Sequence, residues 1–383
     1  MNTLWIFNPD NDIALGNNLR NFTPPRNAML LRQAGAMLPV WTAFDGDFIY
    51  SDNPADSNWL QSVMSVSRKN ISLLSGDNID KIESISPWGW SRAIANTLRI
   101  KGVSPHLLPS DEQIDKIRML SHRRSSIVIN QQLQLHGLNV SIPVEFSDIK
   151  QLKYYLDTHH SAVVIKSPWS SSGRGVLYSD NTETSRLLNQ AEGIIKNQGS
   201  ILVEPKHKKI IDFAMLYQLK NGIAKYVGLS VFNTLTGGNY TGNIVASEQY
   251  LSNIITQYIS PTYLNQLQNA LEVILCDLVG NNYNGICGID MMVYVDENGN
   301  YQIAPCIELN LRHTMGYVAH CLARDIIAPD TIAEMKVEYI GNNLADTQQY
   351  LPPQFDSNNR LINGTLSLIP TNPHFAITLT TTP

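Results

Sequence analysis

The chain has 383 residues, of which 43% are hydrophobic and 16% are charged, and its formal net charge is −5. This length exceeds what one compact core supports, so two or three domains are expected, and the negative charge argues against a general nucleic-acid binder. No apolar stretch approaches the ~20 residues of a membrane span, the first residues lack signal-peptide features, and the four cysteines are scattered. We therefore expect a soluble, cytoplasmic protein with no membrane or nucleic-acid partner.

Residues 1–119 are predicted to form a small α/β domain on the substrate side of the protein. Leu4–Phe7 is a short apolar strand, and the polar segment Asn8–Gly16 that follows it is predicted as a loop. Asp10 and Asp12 in this loop are candidates for binding a substrate group, and the alternative is an Asx-rich turn that only caps the next element. The other elements predicted here are a helix over Ala28–Ala36, a strand over Ile71–Leu74 and a helix over Trp88–Ile100.

Residues 120–205 are predicted to form a compact α+β lobe. Ser121 is a candidate N-cap for its first helix, and Gly137 is a signal for the end of that helix. The elements predicted after it are a strand over Val140–Phe146, a helix over Ser147–Asp157, a strand that ends at Lys166, a helix over Thr182–Lys196 and a strand over Ser200–Pro205.

The loop that follows Lys166 is the first informative motif, with the sequence Lys-Ser-Pro-Trp-Ser-Ser-Ser-Gly-Arg-Gly-Val. Its small residues expose backbone N–H groups, and Gly173 and Gly175 can adopt a positive φ or let a ligand approach the main chain. The lysine adds a positive charge, so the stretch is a candidate phosphate-binding loop. It matches neither the dinucleotide fingerprint nor the P-loop, and a solvated hairpin turn is an equally good interpretation of the stretch alone.

Residues 206–325 are predicted to form a second lobe. Its first two strands are separated by Lys220-Asn-Gly222, which is a hairpin signal. The polar segment Thr236–Gly242 is predicted as a loop, either a lid over a site or an ordinary surface loop. The predicted strands and helices are strands over Ile210–Leu219, Ile223–Val231, Gly285–Val295 and Asn300–Ile307, and helices over Pro261–Gly280 and Thr314–Asp325.

Acidic and amide side chains on the last two of these strands form the second informative motif. Glu308, Asn310 and Arg312 alternate with Leu309 and Leu311, so strand geometry sends the three polar side chains to one face. A hairpin would bring Asp290 of the preceding strand close to them. Two carboxylates and an amide oxygen suit Mg²⁺, and a nearby arginine suits a phosphate or carboxylate. The alternative is an ordinary strand with its polar face in water.

Residues 326–383 are predicted as a C-terminal extension with a helix over Asp330–Tyr339 and strands over Leu361–Leu368 and Phe375–Leu379.

Four features occur in the order found in the ATP-grasp superfamily, which includes D-alanine–D-alanine ligases and glutathione synthetases. They are Ser121-His-Arg-Arg, Lys166 with its glycine loop, Val203-Glu-Pro205 with Asp212, and Asp290 with Glu308, Asn310 and Arg312. The chain resembles this superfamily over residues 120–320. Arg123 in Ser121-His-Arg-Arg matches the basic position of the family's entry segment, with His122 where an acid is common, and Asp212 stands where the family's ribose-binding acid is usually Glu. The resemblance implies nucleotide contacts from Arg123, Lys166, Ser171, Ser172, Gly173, Gly175, Glu204 and Asp212, metal ligation by Asp290, Glu308 and Asn310, and catalytic roles for Lys166 and Arg312.

The resemblance also implies a fold and a chemistry. The fold is a mixture of α/β and α+β structure, in which two α+β lobes enclose ATP behind a small α/β domain. The implied reaction is an ATP-dependent and Mg²⁺-dependent ligation, with one or two metal ions, of an unidentified acid to an amine or thiol through an acyl phosphate, with release of ADP and phosphate. The alternatives are a small-molecule kinase on the same fold and a non-catalytic nucleotide-binding protein. Dimers are common among relatives, so a homodimer is compatible with the resemblance.

Overall fold

The computed structural model describes residues 2–52, 56–159, 161–170, 173, 175–180, 182–235, 237–341 and 351–382. Within these residues the strands form a parallel sheet of four strands, an antiparallel sheet of four, an antiparallel sheet of eight and a two-stranded ribbon. The antiparallel sheet of four strands lies within the first predicted lobe. The sheet of eight takes its strands from the second predicted lobe and from the C-terminal extension, and the parallel sheet precedes both. No helix in this described part of the chain is long and apolar enough to cross a membrane.

The N-terminal part is built on the parallel sheet, whose strand order is β3-β2-β1-β4. Leu4 and Trp5, on opposite faces of β1, are both buried, as expected for a strand covered on both faces. The elements are β1 Thr3–Ile6, α1 Asn11–Asn17, α2 Arg26–Ala34, β2 Phe48–Ile49, α3 Ser57–Ser67, β3 Ser72–Leu73, β4 Ser84–Pro87, α4 Arg92–Ile100 and α5 Asp111–Leu120.

The loop predicted over Asn8–Gly16 is wrong, because most of this segment is the short helix α1. The backbone turns directly after β1, where the Asn11 N–H donates to the Asn8 carbonyl at 3.1 Å, and Ala14 and Leu15 are buried. The polar residues of the segment suggested a turn, but burial of this apolar pair favours a helical turn that returns the chain to the sheet.

A second helix boundary also differs from the prediction. Ser121 is the C-cap of α5, since its N–H donates to the Ile117 carbonyl at 2.8 Å, and the next helix, α6 Arg124–Leu135, has Arg123 at its N-cap position. The chain therefore makes a tight junction between two helices, and this junction fixes Arg123 in a buried position. Gly137 lies just beyond the end of α6 with a φ of +81°, as predicted for a helix stop.

The antiparallel sheet of four strands has the order β5-β8-β6-β7. Its core face, with Ile165 and Val203, packs on α7 and α8. Helix α7 is capped by Asp148, whose side chain accepts from the Lys150 N–H at 2.8 Å, and so it begins after the Ser147 cap predicted from the sequence. The elements are β5 Val144–Phe146, α7 Ile149–Thr158, β6 Val163–Lys166, β7 Val176–Tyr178, α8 Thr184–Gln198 and β8 Ile201–Pro205.

The sheet of eight strands has the order β13-β12-β9-β10-β11-β14-β18-β17. The predicted hairpin between β9 and β10 is confirmed, with Asn221 and Gly222 at φ values of +52° and +77°. One face of β9, β12 and β13 packs on α6, α9 and α10. The elements are β9 Lys208–Lys220, β10 Ile223–Thr234, β11 Tyr240–Val245, α9 Glu248–Thr256, α10 Pro261–Val279, β12 Gly285–Val295, β13 Tyr301–Asn310, α11 Met315–Asp325, β14 Ala333–Tyr339, β15 Gln354–Phe355, β16 Leu361–Asn363, β17 Thr365–Ser367 and β18 Phe375–Thr381.

The helix predicted over Asp330–Tyr339 is wrong, because Ala333–Tyr339 is strand β14. It pairs with β11 on one side and β18 on the other, and Ala333 and Met335 are fully buried. Alternation of buried and more exposed residues is the strand period, so pairing with distant strands decides the structure. The C-terminal strands β14, β17 and β18 therefore extend the large sheet.

Candidate functional site

Lys166 and Glu204 stand side by side on the face of the four-stranded sheet opposite its core. The strands β6 and β8 pair so that Lys166 lies across from Leu202 and Glu204 across from Val164. The Lys166 Nζ donates to Glu204 Oε2 at 2.5 Å, and both side chains are largely buried. Glu204 Oε1 is also buried and has no hydrogen-bond partner among the described residues. This face thus presents a strand-end cation and an incompletely paired acid.

The glycine loop connects β6 and β7 as a hairpin loop that is drawn close to the strand ends. The Ser167 N–H donates to the Gly175 carbonyl at 2.8 Å, and Gly173 and Gly175 have φ values of +73° and +70°. A side chain at Gly173 would meet the backbone of Gly237 and Gly238, within 2.9 Å, so the loop touches the turn between β10 and β11. The prediction that both glycines adopt positive φ is confirmed.

Three residues of the predicted loops lie outside the described residues, namely Ser171, Ser172 and Thr236. The rest of the predicted Thr236–Gly242 loop is shorter than expected, because Tyr240 begins β11.

Arg123 connects the two lobes. Its guanidinium donates from Nη2 to Ser170 Oγ at 3.1 Å and lies 3.0 Å from Glu308 Oε2, while its backbone N–H donates to the Pro168 carbonyl. The side chain is 6% exposed, and its Nε has no hydrogen-bond partner among the described residues. Arg123 therefore brings a cation to the point where the glycine loop meets the acidic strand.

The acid–amide cluster predicted on β12 and β13 forms as expected. Asp290 lies directly across from Glu308, and Gly288 lies across from Asn310. The Asn310 Nδ2 donates to Asp290 Oδ2 at 3.0 Å, a bond that uses the amide nitrogen and not its oxygen. Leu309 on the opposite face is buried in the core. Within the described residues no three His, Cys, Asp or Glu side chains group together as metal ligands, so this site offers two carboxylates and an amide.

The two carboxyl groups of this cluster have perturbed pKa values. Burial, with the charge of Glu308 adding to it, raises the pKa of Asp290 from 3.8 to about 7. Burial also raises the pKa of Glu308, although the Arg123 cation opposes the effect. Removal from water and the proximity of a second carboxylate both disfavour the ionised form. The pair therefore carries an electrostatic cost that a bound cation would relieve.

Asp212 lies on the same sheet as the acid–amide cluster, one strand away. It is in β9, across from Met292 of β12 and Phe232 of β10. Its Oδ2 accepts from Lys209 Nζ at 2.6 Å and from Thr234 Oγ1 at 2.6 Å. The contacts with Lys209 and Thr234 thus hold the Asp212 carboxylate in a fixed position on β9.

Arg312 extends from the end of β13 toward the parallel sheet and forms a paired contact with Asp12 of α1. Its Nε donates to Asp12 Oδ2 at 2.9 Å and its Nη2 lies 2.8 Å from the same oxygen, while Nη1 donates to the His313 carbonyl at 3.2 Å. Such a contact orients the planar guanidinium strongly. The arginine predicted as catalytic is therefore positioned by an acid of the N-terminal part.

The lysine of one lobe and the acids of the other converge. Burial raises the pKa of Glu308, and the nearby positive charges of Arg123, Arg312 and Lys166 oppose this rise. Burial raises the pKa of Cys306 on β13, and the nearby charges of Glu204, Asp290 and Glu308 add to this rise. The Arg123 contacts join the same two surfaces directly. Arg123 thus joins the glycine-loop lobe to the acidic strand, and the region bounded by Arg123, Lys166, Asp290 and Glu308 is called the cleft.

Some residues of this region gave no signal in the sequence. Thr234 contacts Asp212 through a single hydroxyl group. Arg32, on α2, lies 3.7 Å from Asp10. A threonine and a lone helical arginine are common in any chain, so only the contacts reveal them.

Comparison with known proteins relates this architecture to solved structures. No family model and no curated protein matches the sequence. The fold matches N5-carboxyaminoimidazole synthetase from Staphylococcus aureus complexed with ADP, at 13% identity, a TM-score of 0.50, and coverage of 100% of this chain and 94% of that chain.

Two further solved structures match over nearly the whole chain. The biotin carboxylase–β,γ-ATP complex from Campylobacter jejuni is 11% identical, with a TM-score of 0.50 and coverage of 99% of this chain and 87% of that chain. The biotin carboxylase domain of Hydrogenobacter thermophilus 2-oxoglutarate carboxylase, with MgADP, ADP and bicarbonate, is 12% identical, with a TM-score of 0.53 and coverage of 100% and 86%.

All three matched proteins are ATP-grasp enzymes, so the chain has the ATP-grasp fold. The resemblance noted in the sequence is confirmed at the level of the fold, including the α/β domain that precedes the two lobes.

Proposed function

We propose that the protein is an ATP-dependent and Mg²⁺-dependent ligase that joins a carboxylate to an amine and releases ADP and phosphate. The observation that carries this proposal is the position of Arg123, which contacts the glycine-loop lobe through Ser170 and the acidic strand through Glu308. A triphosphate needs cations on one side and a metal site on the other, and this cleft supplies both. The matched biotin carboxylases, solved with an ATP analogue or with MgADP, support the same interpretation.

The residues of the cleft are suited to binding ATP and Mg²⁺. Arg123 Nε and Glu204 Oε1 are buried polar atoms without hydrogen-bond partners in the described part of the chain, as expected where a ligand supplies the missing partner. Asp290, Glu308 and Asn310 form a donor set of hard oxygens, and a cation bound between the two acids would oppose the rise in their pKa values that burial causes. Mg²⁺ prefers such a set and completes its shell with phosphate and water.

The roles of the residues follow from their positions. Lys166 and Arg123 hold the phosphates by charge and must loosen their present contacts with Glu204 and Glu308 to do so. Glu308, Asn310 and Asp290 hold the metal, which when bound neutralises charge that develops on the phosphates. The loop at Gly173 and Gly175 excludes water from the transferred phosphoryl group by closing against the turn at Gly238.

The reaction consists of two transfers. A substrate carboxylate oxygen attacks the γ-phosphorus of ATP, the bond to the β-phosphate oxygen breaks, and ADP leaves. An amine then attacks the acyl carbon, the bond to the phosphate oxygen breaks, and phosphate leaves together with the proton lost by the amine. Arg312, held by Asp12, stabilises negative charge on the acyl phosphate and on the tetrahedral intermediate.

The test measures ADP, phosphate and a new product when the full-length protein is incubated with Mg²⁺, ATP and mixtures of carboxylic acids and amines. We expect ADP and phosphate in equal amounts, an amide by mass spectrometry, and a hydroxamate when hydroxylamine replaces the amine. The Glu308→Gln variant should lose at least ~100-fold in rate, since it removes a charge that holds the metal. Glu297→Gln, at an exposed position in the β12–β13 turn, is the matched control.

The other outcomes separate the alternatives. A stable phosphate ester without free phosphate would identify a kinase. Tight Mg²⁺-dependent ATP binding with no ADP release from any mixture would identify a nucleotide-binding protein without catalysis. Each of these two results contradicts the ligase proposal.

A further inference from the structure

The carboxyl ends of β1 and β4 lie side by side in the parallel sheet of the N-terminal part. The strand order β3-β2-β1-β4 means that the chain winds to one side of β1 and then returns to its other side, so the order reverses between β1 and β4. Ligands of open parallel sheets bind beyond the carboxyl ends of the strands at such a switch point. Asn8, directly after β1, donates from Nδ2 to the Gly89 carbonyl after β4 at 2.8 Å, and Asp10 follows on the same turn.

Asp10 is a buried acid that the fold itself does not satisfy. The residue is 3% exposed, and its Oδ1 has no hydrogen-bond partner among the described residues. Asp47 in the same sheet is equally buried, but its oxygens accept from the N–H groups of Thr3, Phe44 and the Trp5 indole at 2.7–2.8 Å. Leaving a buried carboxylate oxygen without a hydrogen bond costs free energy. Asp47 avoids this cost by accepting bonds from three N–H groups of the fold, whereas Asp10 Oδ1 accepts none from the described residues.

A cation stands next to Asp10 without closing a hydrogen bond to it. The Arg32 Nη1 is 3.7 Å from Asp10 Oδ2, which is beyond hydrogen-bond distance, and the arginine side chain is 25% exposed. Arg32 therefore has donors left for another acceptor, as Asp10 has an acceptor left for another donor. Two residues beyond Asp10 along the chain, Asp12 holds Arg312, which is the arginine that we assign to the acyl phosphate.

We propose that Asp10 and Arg32 form the binding site for a small amino acid, the amine substrate of the ligase. The ammonium or amino group donates to Asp10 Oδ1, and the carboxylate of the same molecule accepts from Arg32. This inference rests on the proposed function, because it names the class of that substrate, and it assigns specificity to two residues outside the ATP cleft.

The loose ion pair favours a zwitterion over a singly charged ligand. Asp10 and Arg32 together carry no net charge, so a cation alone would leave Arg32 uncompensated beside it, and an anion alone would do the same to Asp10. A molecule with both charges places each group opposite its complement and adds no net charge to a buried site. Charge-assisted hydrogen bonds of this kind are short and strong.

The test uses small probes on the full-length protein without nucleotide. Glycine, β-alanine and γ-aminobutyrate carry both charges, while propylammonium and butyrate carry one each. Binding is measured by saturation-transfer NMR and by the shift in Tm. We expect at least one amino acid to bind, the singly charged probes not to bind at the same concentration, and Asp10→Asn to weaken the Kd at least about tenfold, the effect of losing one charged hydrogen bond.

Two further variants keep the inference falsifiable. Arg32→Gln should weaken binding of the same amino acid to a similar extent, and Asp80→Asn, at an exposed position in the same part of the chain, should leave it unchanged. Asp10→Asn removes a buried charge whose Oδ1 lacks a hydrogen-bond partner among the described residues, so we expect it to fold with an equal or higher Tm. Equal binding by Asp10→Asn and wild type, equal binding of the singly charged probes, or no binding of any amino acid would overturn the inference.

ATP binding is titrated in parallel in the same samples. If the wild-type protein binds an amino acid but does not bind ATP, the proposed function is refuted and the amino-acid site is not. Intact ATP binding and turnover without amino-acid binding would refute only this site.

Discussion

The raised pKa of Asp290 makes stability depend on pH in a way that one substitution isolates. The pKa rises from 3.8 to about 7 on folding, chiefly through burial. The folded state therefore binds the Asp290 proton more tightly than the unfolded state does. Below pH 3.8 both states hold the proton and stability is unaffected, between pH 3.8 and 7 stability falls as pH rises, and above pH 7 the loss is complete.

The magnitude follows from the size of this shift. Each pKa unit corresponds to about 1.4 kcal/mol, so about three units set an upper limit of about 4 kcal/mol in alkaline solution. Asp290 is only partly buried by its solvent accessibility, and screening by water reduces the loss, so we expect about 1 to 3 kcal/mol between pH 5 and pH 8. Asp290→Asn preserves the shape of the side chain but cannot ionise, and it should therefore lose the dependence.

The assay is urea unfolding of wild type and Asp290→Asn at pH 5 and pH 8 in EDTA. The variant should gain stability relative to wild type as the pH rises from 5 to 8. At pH 8, adding Mg²⁺ and ATP in place of EDTA should raise the unfolding free energy of wild type more than that of the variant. Asp277→Asn, an exposed position on α10, is the control and should track wild type. A stability difference between Asp290→Asn and wild type that is independent of pH would refute the reasoning.

Three other predictions concern residues around the cleft and the core. Lys166→Met should weaken Mg²⁺–ATP binding at least about tenfold, as measured by calorimetry. The substitution removes a cation that we assign to the phosphates and leaves Glu204 without its lysine partner. Asp12→Asn should lower kcat with ATP affinity unchanged, since it releases only Arg312, and steady-state kinetics measures the split. Gly35→Ala should lower unfolding free energy by about 1 to 3 kcal/mol in urea, because its Cβ would lie 2.3 Å from the Phe7 ring.

Each of these predictions has a result that would contradict it, and the lysine and glycine substitutions also have a control variant. Lys150→Met changes an exposed lysine of α7, and a Kd for ATP equal in the Lys150 and Lys166 variants would contradict the phosphate role. For Asp12→Asn, an unchanged kcat would show that Arg312 needs no positioning. For the glycine, Gly76→Ala is the control because a Cβ there meets nothing within 4 Å, and equal stability of the two variants would disprove the steric argument.

The parts of the fold that depend on local sequence were predictable. The hairpin at Lys220-Asn-Gly222 and helix α10 are set by turn residues and by a helical apolar period over 19 residues. The acid–amide face of β13 was predictable too, because strand alternation alone orients Glu308 and Asn310. Adjacent residues determine each of these features.

The features that failed or went unseen depend on contacts between distant residues. Strand β14 was predicted as a helix because its partners, β11 and β18, lie far away in the sequence. The pair of Asp12 and Arg312 joins positions 300 residues apart, so no spacing rule could identify it. The N-cap of α6 was misplaced at Ser121 because a serine suits either end of a helix junction. Tertiary packing decides such cases over local propensity.

The central claim is that the cations at Lys166 and Arg123 and the acids at Asp290 and Glu308 serve one triphosphate. Calorimetric titration of ATP into the purified protein, once with Mg²⁺ and once with EDTA, tests it most directly. The account predicts saturable binding with Mg²⁺ that weakens strongly in EDTA. Absence of ATP binding, or the same affinity in both conditions, would contradict it.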